Sequence, residues 1–194
     1  EFDAELLGNF SIATDENTPL YNLAAAIDDY DMQISHVIRG DDHISNTPKQ
    51  LLIYRALGLE PPQYAHLPMI LGTDKSKLSK RHGATSLLEY RDQGYLPDAM
   101  FNFLALLGWS PGDDKEIMPR DEITAKFSLE NVQKSGAVFN VEKLDWMNGE
   151  YIRKIPIGEL TQLCLPFLPK GGWSKDWLQK IVSLEQPRLK KLSE

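Results

Sequence analysis

The stretch Ile34-Ser-His-Val-Ile-Arg-Gly-Asp-Asp-His43 decides the predicted fold, because a short apolar run ends abruptly in a polar cluster. A mostly apolar run of this length is typical of a buried parallel strand. A helix with Pro48 in its first turn and Gly58 at its end is predicted next. A second strand, made irregular by Pro68, is predicted from His66 to Leu71. The result is a strand–helix–strand crossover with a polar loop after each strand, at the edge where open α/β sheets bind ligands.

A basic loop follows the second predicted strand directly. Residues 71–86 read Leu-Gly-Thr-Asp-Lys-Ser-Lys-Leu-Ser-Lys-Arg-His-Gly-Ala-Thr-Ser, and the basic positions are Lys75, Lys77, Lys80, Arg81 and His82. Such a loop can place positive charges against phosphate oxygens and still move, because Gly72 and Gly83 allow a wider range of backbone dihedral angles at its two ends. A solvated charged loop is the alternative for a basic run taken alone. We expect Arg39 and the lysines of the loop to face one crevice.

The rest of the chain is predicted to be helical. Tyr21 to Asp31 is expected to form a short, alanine-rich helix, and only helices are expected after Gly83. Ser86 and Glu89 have the spacing of a capping box. Ser174 is expected to cap an amphipathic helix whose apolar face carries Trp177, Leu178, Ile181 and Val182. The tryptophans are interpreted as core residues, not as platforms for nucleobases.

Composition indicates a globular protein. The chain has 194 residues, a net charge of −7 and a single cysteine, Cys164, which excludes an internal disulfide and a Cys-rich zinc site. The acidic balance argues only weakly against nucleic acid, because local basic surface is what phosphates require. No apolar run approaches the length of a bilayer span, and the first residues do not resemble a signal peptide. We therefore expect a cytoplasmic protein with no membrane partner.

Several motifs of the chain resemble those of one enzyme family. Lys77-Leu-Ser-Lys-Arg81 resembles the K-M-S-K-S signature of class I aminoacyl-tRNA synthetases, with arginine where the signature has serine, a variant that the family often shows. Further motifs occur in the order found in bacterial glutamyl-tRNA synthetases: Tyr21-Asn-Leu-Ala24, His36-Val-Ile-Arg-Gly-Asp-Asp-His-Ile-Ser-Asn-Thr-Pro48, Tyr90-Arg-Asp-Gln-Gly-Tyr-Leu-Pro97, Leu106-Leu-Gly-Trp109, Lys134-Ser-Gly-Ala-Val-Phe139 and Lys143-Leu-Asp-Trp-Met-Asn148. The resemblance covers residues 9 to 153 almost continuously.

This resemblance implies an α/β fold followed by an all-α part. Residues 1–83 would be the second half of a Rossmann-like, nucleotide-binding catalytic domain, residues 84–155 a helical stem-contact domain, and residues 156–194 the start of a helical anticodon-binding region. The implied activity is that of a glutamate–tRNA ligase, which activates glutamate with ATP to glutamyl-adenylate and transfers it to tRNA(Glu). The implied partners are tRNA(Glu), L-glutamate and ATP with Mg²⁺ on its phosphates. We expect a monomer without protein-bound zinc.

The resemblance also implies roles for particular residues. Lys77 and Lys80 would be the catalytic lysines of a mobile loop that stabilises the triphosphate as charge builds on the leaving pyrophosphate. Arg39 would bind the carboxylate of glutamate, with Tyr21 beside it. The implied ATP-binding residues are Asp42, His43, Met69, Ile70, Lys77, Ser79 and Lys80, of which Met69 and Ile70 would act through their backbones.

Each of these roles has a structural alternative. Tyr21 would then be a packing residue at a helix start, His43 would cap the next helix, and Met69 and Ile70 would be core residues. No metal site is predicted, because isolated histidines without ligand spacing do not form one.

One family signature is missing from the sequence. Nothing in residues 1–194 matches the His-Ile-Gly-His motif of class I synthetases. We therefore expect a central-to-C-terminal fragment that lacks the N-terminal half of the catalytic domain and is inactive alone. One alternative is a noncatalytic tRNA-binding or assembly module with the same fold. Another is a relative of different specificity, either a glutaminyl enzyme or a tRNA-modifying glutamyl-queuosine paralogue; the lysine signature and the helical extension beyond Lys143 argue against the paralogue.

Overall fold

The computed structural model describes residues 7–79, 81, 86–169 and 171–194. The chain divides into two compact units, residues 1–69 and residues 70–194. Each unit has its own buried cluster or clusters of apolar side chains. The domain limits predicted at residues 83/84 and 155/156 remain predictions, and Gly83 lies outside the described residues.

The first unit contains two strand pairs and two helices. Its elements are β1 (Ala13–Asp15), β2 (Thr18–Pro19), α1 (Tyr21–Asp31), β3 (His36–Gly40), a 3-10 turn (Asp41–His43), α2 (Thr47–Leu57) and β4 (Gln63–Leu67). Strands β1 and β2 form an antiparallel hairpin, whereas β3 and β4 are parallel. Because α2 connects β3 to β4, the predicted strand–helix–strand crossover is confirmed.

Helices α1 and α2 pack against each other through a small core. Ala26 of α1 is buried with Ile53 and Tyr54 of α2, and its short side chain allows close approach of the two helices. The predicted limits of α1 agree with the structure. Helix α2 ends at Gly58, whose φ of 68° lies in the left-handed region that a residue with a Cβ adopts only at a cost.

The predicted second strand is two strands that belong to different units. Strand β4 ends at Leu67, and β5 (Ile70–Leu71) instead pairs in parallel with β6 (Ala137–Val138). Pro68 lies between them and has no N–H to donate to a continuing ladder. The prediction of helices only after Gly83 was therefore wrong, since β6 lies beyond that point.

The second unit is mainly helical. Its elements, besides β5 and β6, are α3 (Leu87–Asp92), α4 (Pro97–Gly108), α5 (Arg120–Lys126), α6 (Val141–Lys154), α7 (Ile157–Cys164), α8 (Lys175–Glu185) and two 3-10 turns (Leu129–Asn131 and Leu165–Phe167). Phe103, Leu144 and Met147 form the centre of one buried cluster, and Ile152 and Leu160 belong to a second. The predicted capping box of Ser86 and Glu89 is present at the start of α3.

Helix α8 buries only part of its apolar face. Leu178 and Val182 are buried, but Trp177 and Ile181 are 44% and 39% exposed. Neighbouring positions differ by about 100° around a helix, so one apolar ridge of α8 packs on the unit while the adjacent ridge faces outward. The indole of Trp177 stacks on that of Trp173 with ring centroids 4.6 Å apart. The interpretation of the tryptophans as core residues holds fully for Trp109 alone, which is 2% exposed.

Within the part of the chain that the structure describes, no helix has both the length and the apolar character needed to cross a bilayer.

Candidate functional site

Arg39 is held in place from two sides within the first unit. It lies near the end of β3, opposite His66 of β4. Its Nη2 donates hydrogen bonds to Thr47 Oγ1 at 2.9 Å and to Gln50 Oε1 at 2.8 Å, both on α2. Its guanidinium carbon lies 5.1 Å from the ring centroid of Tyr64, a cation–π contact with β4. The arginine is therefore fixed by the crossover helix and by the neighbouring strand.

The charges and burial around Arg39 shift the pKa values of its neighbours. Burial raises the pKa of Asp29, against the opposing attraction of Arg39. Burial also raises the pKa of Tyr64 and lowers that of His66, on which the positive charge of Arg39 acts in the same downward direction. Burial is the largest cause of each shift, because it disfavours the charged form of each group.

Tyr21 and His43 are brought together by α1 and the 3-10 turn after β3. The Tyr21 hydroxyl lies 3.5 Å from His43 Nδ1, and the Asn46 amide nitrogen Nδ2 lies 3.2 Å from the same atom. Since an amide NH₂ only donates, His43 Nδ1 accepts and the ring proton is assigned to Nε2. His43 thus offers one N–H donor to a ligand. Tyr21 is 53% exposed, which does not fit a packing role.

Asp42 lies in the same turn, and its placement depends on the residue two positions before it. A Cβ on Gly40 would come within 2.6 Å of Asp42 Oδ1, so a side chain at position 40 would push this carboxylate away. Asp42 is exposed, and Met69, which ends the first unit, is half-buried. The absence of a side chain at Gly40 therefore lets a carboxylate fold back against the end of β3.

The first part of the basic loop is an ordered hairpin turn in the second unit. Gly72 N–H donates to the Ser76 carbonyl at 2.8 Å, and Lys75 N–H donates to the Gly72 carbonyl at 3.0 Å. Lys75 has a φ of 62°. A turn followed by a left-handed residue is the usual form of a three-residue hairpin loop. The chain then returns antiparallel to β5, with Leu71 opposite Lys77.

Leu78 anchors the returning arm of this hairpin. Its N–H donates to the Ile70 carbonyl at 2.9 Å, and its side chain packs against the buried cluster that contains Tyr90 and Phe139. Side chains of an extended segment alternate between its faces. Lys77 and Ser79, on either side of Leu78, are accordingly exposed. Lys80 lies outside the described residues, so its predicted catalytic role remains a prediction.

Arg81 closes a small polar cluster at the turn. Asp74 Oδ1 accepts hydrogen bonds from Ser76 N–H at 2.9 Å and from Ser76 Oγ at 2.7 Å. Arg81 Nη2 pairs with Asp74 Oδ2 at 3.4 Å and donates to Ser76 Oγ at 2.5 Å. All of these groups are exposed or half-buried, so the ion pair contributes about 1 kcal/mol at most.

Two residues that position Arg39 were not assigned from the sequence. Thr47 and Gln50 are 3% and 1% exposed, and they lie on the buried face of α2 that also carries Ile53 and Tyr54. The spacing of 47, 50 and 53–54 is that of one helix face. The sequence did carry a signal for these two residues, because each is a polar residue on a helix face that is otherwise apolar.

Metal-binding side chains are not clustered in the described parts of the chain. No group of three or more His, Cys, Asp or Glu residues there could hold a metal ion.

Comparison with known proteins defines the class of this chain. Residues 1–146 match the family described as tRNA synthetases class I (E and Q), catalytic domain. A match over this much of the chain shows membership, and the chain belongs to that family.

Individual relatives of the chain are glutamate–tRNA ligases, a more specific class than the family. The chain is 48% identical over 192 residues to the glutamate–tRNA ligase of Desulforamulus reducens, covering 95% of this chain and 40% of that protein. It is 53% identical over 190 residues to the glutamate–tRNA ligase of Thermodesulfovibrio yellowstonii, covering 94% of this chain and 41% of that protein. The crystal structure of a glutamate tRNA ligase from Elizabethkingia meningosepticum in complex with its amino acid is similar, with a TM-score of 0.82 at 34% identity.

That structural match covers 94% of this chain and 40% of the other chain. The chain thus spans about two fifths of the length of these relatives.

Proposed function

We propose that this chain is part of a glutamate–tRNA ligase, which activates glutamate with ATP and transfers the glutamyl group to tRNA(Glu). Membership of the class I family and the identity to glutamate–tRNA ligases support the reaction. The single observation that carries the substrate class is the fixed, half-buried guanidinium of Arg39, held by α2 and stacked on Tyr64. We propose that the chain contributes Arg39 and the lysine hairpin, the antiparallel turn of residues 70–79, to the reaction.

Arg39 has the chemistry to select a carboxylate. The Nη1 of a guanidinium donates hydrogen bonds to a carboxylate, and the opposite charges strengthen them. The neutral amide of glutamine would accept from the same nitrogen without this attraction between opposite charges. This favours glutamate over glutamine as the substrate. Tyr21, whose exposed ring contacts His43, is proposed to complete the glutamate pocket.

The ATP-binding role is assigned to groups of both units. In the first unit we propose Asp42, the Nε2–H of His43 and the backbone of Met69. In the second we propose the backbone of Ile70, Lys77, Ser79 and Lys80. The hairpin supports the role of Lys77, because Leu78 holds its arm on the helical core while Lys77 itself is exposed. A positioned ammonium can follow charge onto the leaving pyrophosphate and stabilise the transition state.

Mg²⁺ enters this proposal on the phosphates of ATP. Mg²⁺ keeps several waters and binds substrate phosphates readily, so it does not need a dedicated cage of protein ligands. The ion would neutralise the triphosphate, while Lys77 and Lys80 would act on the charge that develops.

The remaining features of the proposal concern the whole enzyme. The chain spans 40–41% of the length of its relatives, so we propose that other parts of the enzyme complete the ATP site. We also propose that residues 84–155 contact the tRNA stem and that residues 156–194 open the anticodon-binding region. A monomer that acts in the cytoplasm is the form we propose.

Glutamate-dependent ATP–pyrophosphate exchange, with tRNA present, tests the proposal in the enzyme that contains this chain. Arg39→Lys should lower kcat/KM for glutamate by about 2 kcal/mol, roughly 30-fold, because lysine cannot keep the contacts with α2 and also donate to the substrate carboxylate. The matched control is Arg55→Lys on the exposed side of α2. An unchanged KM for glutamate in Arg39→Lys would show that Arg39 does not bind the substrate. Retained tRNA binding without any exchange would instead support a noncatalytic tRNA-binding module.

A further inference from the structure

Two buried side chains beside Arg39 accept hydrogen bonds from both N–H groups of its Nη2. An η nitrogen of arginine carries two N–H groups. Those of Nη2 face two acceptors, Thr47 Oγ1 at 2.9 Å and Gln50 Oε1 at 2.8 Å. Within the described residues no further hydrogen bond is made by this guanidinium, and its Nε is buried without a partner. Both N–H groups of Nη2 are therefore satisfied, whereas Nη1 keeps two N–H groups for a ligand.

The acceptors that hold Arg39 are neutral. Gln50 offers a carboxamide oxygen and Thr47 a hydroxyl, and they are 1% and 3% exposed. A carboxylate at either position would fix the guanidinium equally well, but it would also neutralise its charge and weaken its attraction for an anionic ligand. Neutral acceptors orient the arginine and leave its charge available. A residue that served only to stabilise a buried arginine would gain more from a carboxylate.

The hydroxyl of Thr47 is itself held in one orientation. It lies 3.0 Å from His66 Nε2 and 3.3 Å from the His43 carbonyl oxygen, while it accepts from Arg39. A hydroxyl has one proton and two lone pairs. The proton goes to His66 or to the His43 carbonyl, and a lone pair stays directed at Arg39. Both positions of α2 are thus arranged as acceptors toward the guanidinium.

We propose that Thr47 and Gln50 are positioning residues for glutamate recognition, which orient Arg39 through Nη2 without neutralising it, so that Nη1 meets the substrate carboxylate. This inference rests on the proposed function. It assigns glutamate specificity partly to α2, a helix whose side chains need not touch the substrate.

The decisive variant is Gln50→Glu, which retains the acceptor for Arg39 but adds a counter-charge. We expect the KM for glutamate in ATP–pyrophosphate exchange to rise at least about tenfold, the scale of one charge-assisted hydrogen bond. The KM for ATP should stay within about twofold, since ATP does not bind Arg39 in this proposal. Gln63→Glu, the same change at an exposed position of β4, is the control and should leave both constants unchanged. A glutamate KM of Gln50→Glu within about twofold of the parent would overturn the inference.

A second pair of variants tests the inference without any change of charge. Thr47→Val removes the hydroxyl at nearly constant volume and should raise the glutamate KM several-fold, whereas Thr47→Ser should restore most of the loss. Equal constants for the Val and Ser variants would contradict a positioning role. If the parent enzyme shows no glutamate-dependent exchange, the proposed function and this inference both fail. Normal exchange in the parent with unaffected variants overturns the inference alone.

Discussion

Asn148 joins two distant segments of the helical unit through one buried side chain. Its Oδ1 accepts a hydrogen bond from the Leu96 N–H at 2.8 Å, and its Nδ2 donates to the Lys190 carbonyl at 2.6 Å. The residue is 0% exposed. Leu96 immediately precedes α4, so its N–H is one that the helix itself cannot satisfy. We predict that Asn148→Ala is strongly destabilising.

The magnitude follows from what each partner loses. Leu96 is buried, so its N–H would be left without a partner, at a cost of about 1–3 kcal/mol. Lys190 is exposed, so water can replace the lost bond to its carbonyl and that cost is small. Removing the buried side-chain atoms of Asn148 also leaves a small cavity. We expect a total loss of about 2–3 kcal/mol in the free energy of unfolding.

Urea unfolding followed by tryptophan fluorescence measures this loss in the second unit, which contains Asn148. All four tryptophans, at positions 109, 146, 173 and 177, lie in residues 70–194. With an m value of about 2 kcal/mol/M, the midpoint should fall by about 1–1.5 M urea. Asn131→Ala, at an exposed position of a 3-10 turn, is the matched control and should change stability by less than about 0.5 kcal/mol. A loss below about 1 kcal/mol for Asn148→Ala would refute the reasoning.

Three further changes have defined outcomes. Lys77→Ala should lower the rate of pyrophosphate exchange far more than it raises the glutamate KM, because its proposed action is on the transition state; equal effects on both constants would contradict that role. Because burial lowers the pKa of His66, the unfolded chain binds this proton more readily, and stability should fall as the pH drops below about 6.5. His66→Gln should flatten that dependence in urea titrations followed by circular dichroism between pH 7.5 and 5. Ser86→Ala removes the cap of α3 and should cost about 1 kcal/mol in the fluorescence-detected titration, whereas a neutral effect would mean that the cap is not formed in solution.

Features that depend on neighbouring residues were predictable from the sequence. The limits of α1, the end of α2 at Gly58 and the capping box at Ser86 were all predicted and are present. Each depends on atoms within about four residues, such as a side-chain oxygen that reaches a nearby N–H. The placement of Arg39 at the carboxyl end of a parallel strand followed from the crossover pattern alone.

Features that depend on distant partners were not predictable in the same way. Strand β5 was predicted as part of a longer strand, but its partner β6 was not, because the paired residues lie 67 positions apart and no local periodicity revealed β6. Gln50 contacts Arg39 only because the crossover brings α2 against β3. The exposure of Trp177 depends on which ridge of α8 the other helices cover, and an apolar pattern does not specify that.

The anchoring of the lysine hairpin has a consequence for recombining synthetases from different sources. Leu71 accepts a hydrogen bond from the Phe139 N–H at 2.8 Å, and Leu78 packs on the cluster that contains Phe139. A junction between two parent sequences placed after residue 69 would transfer the hairpin together with the helices that support it. A junction between residues 83 and 84 would instead pack Leu78 against a cluster of apolar side chains from the other parent enzyme. Chimaeric enzymes joined at the first point should therefore keep Lys77 in place more often than those joined at the second.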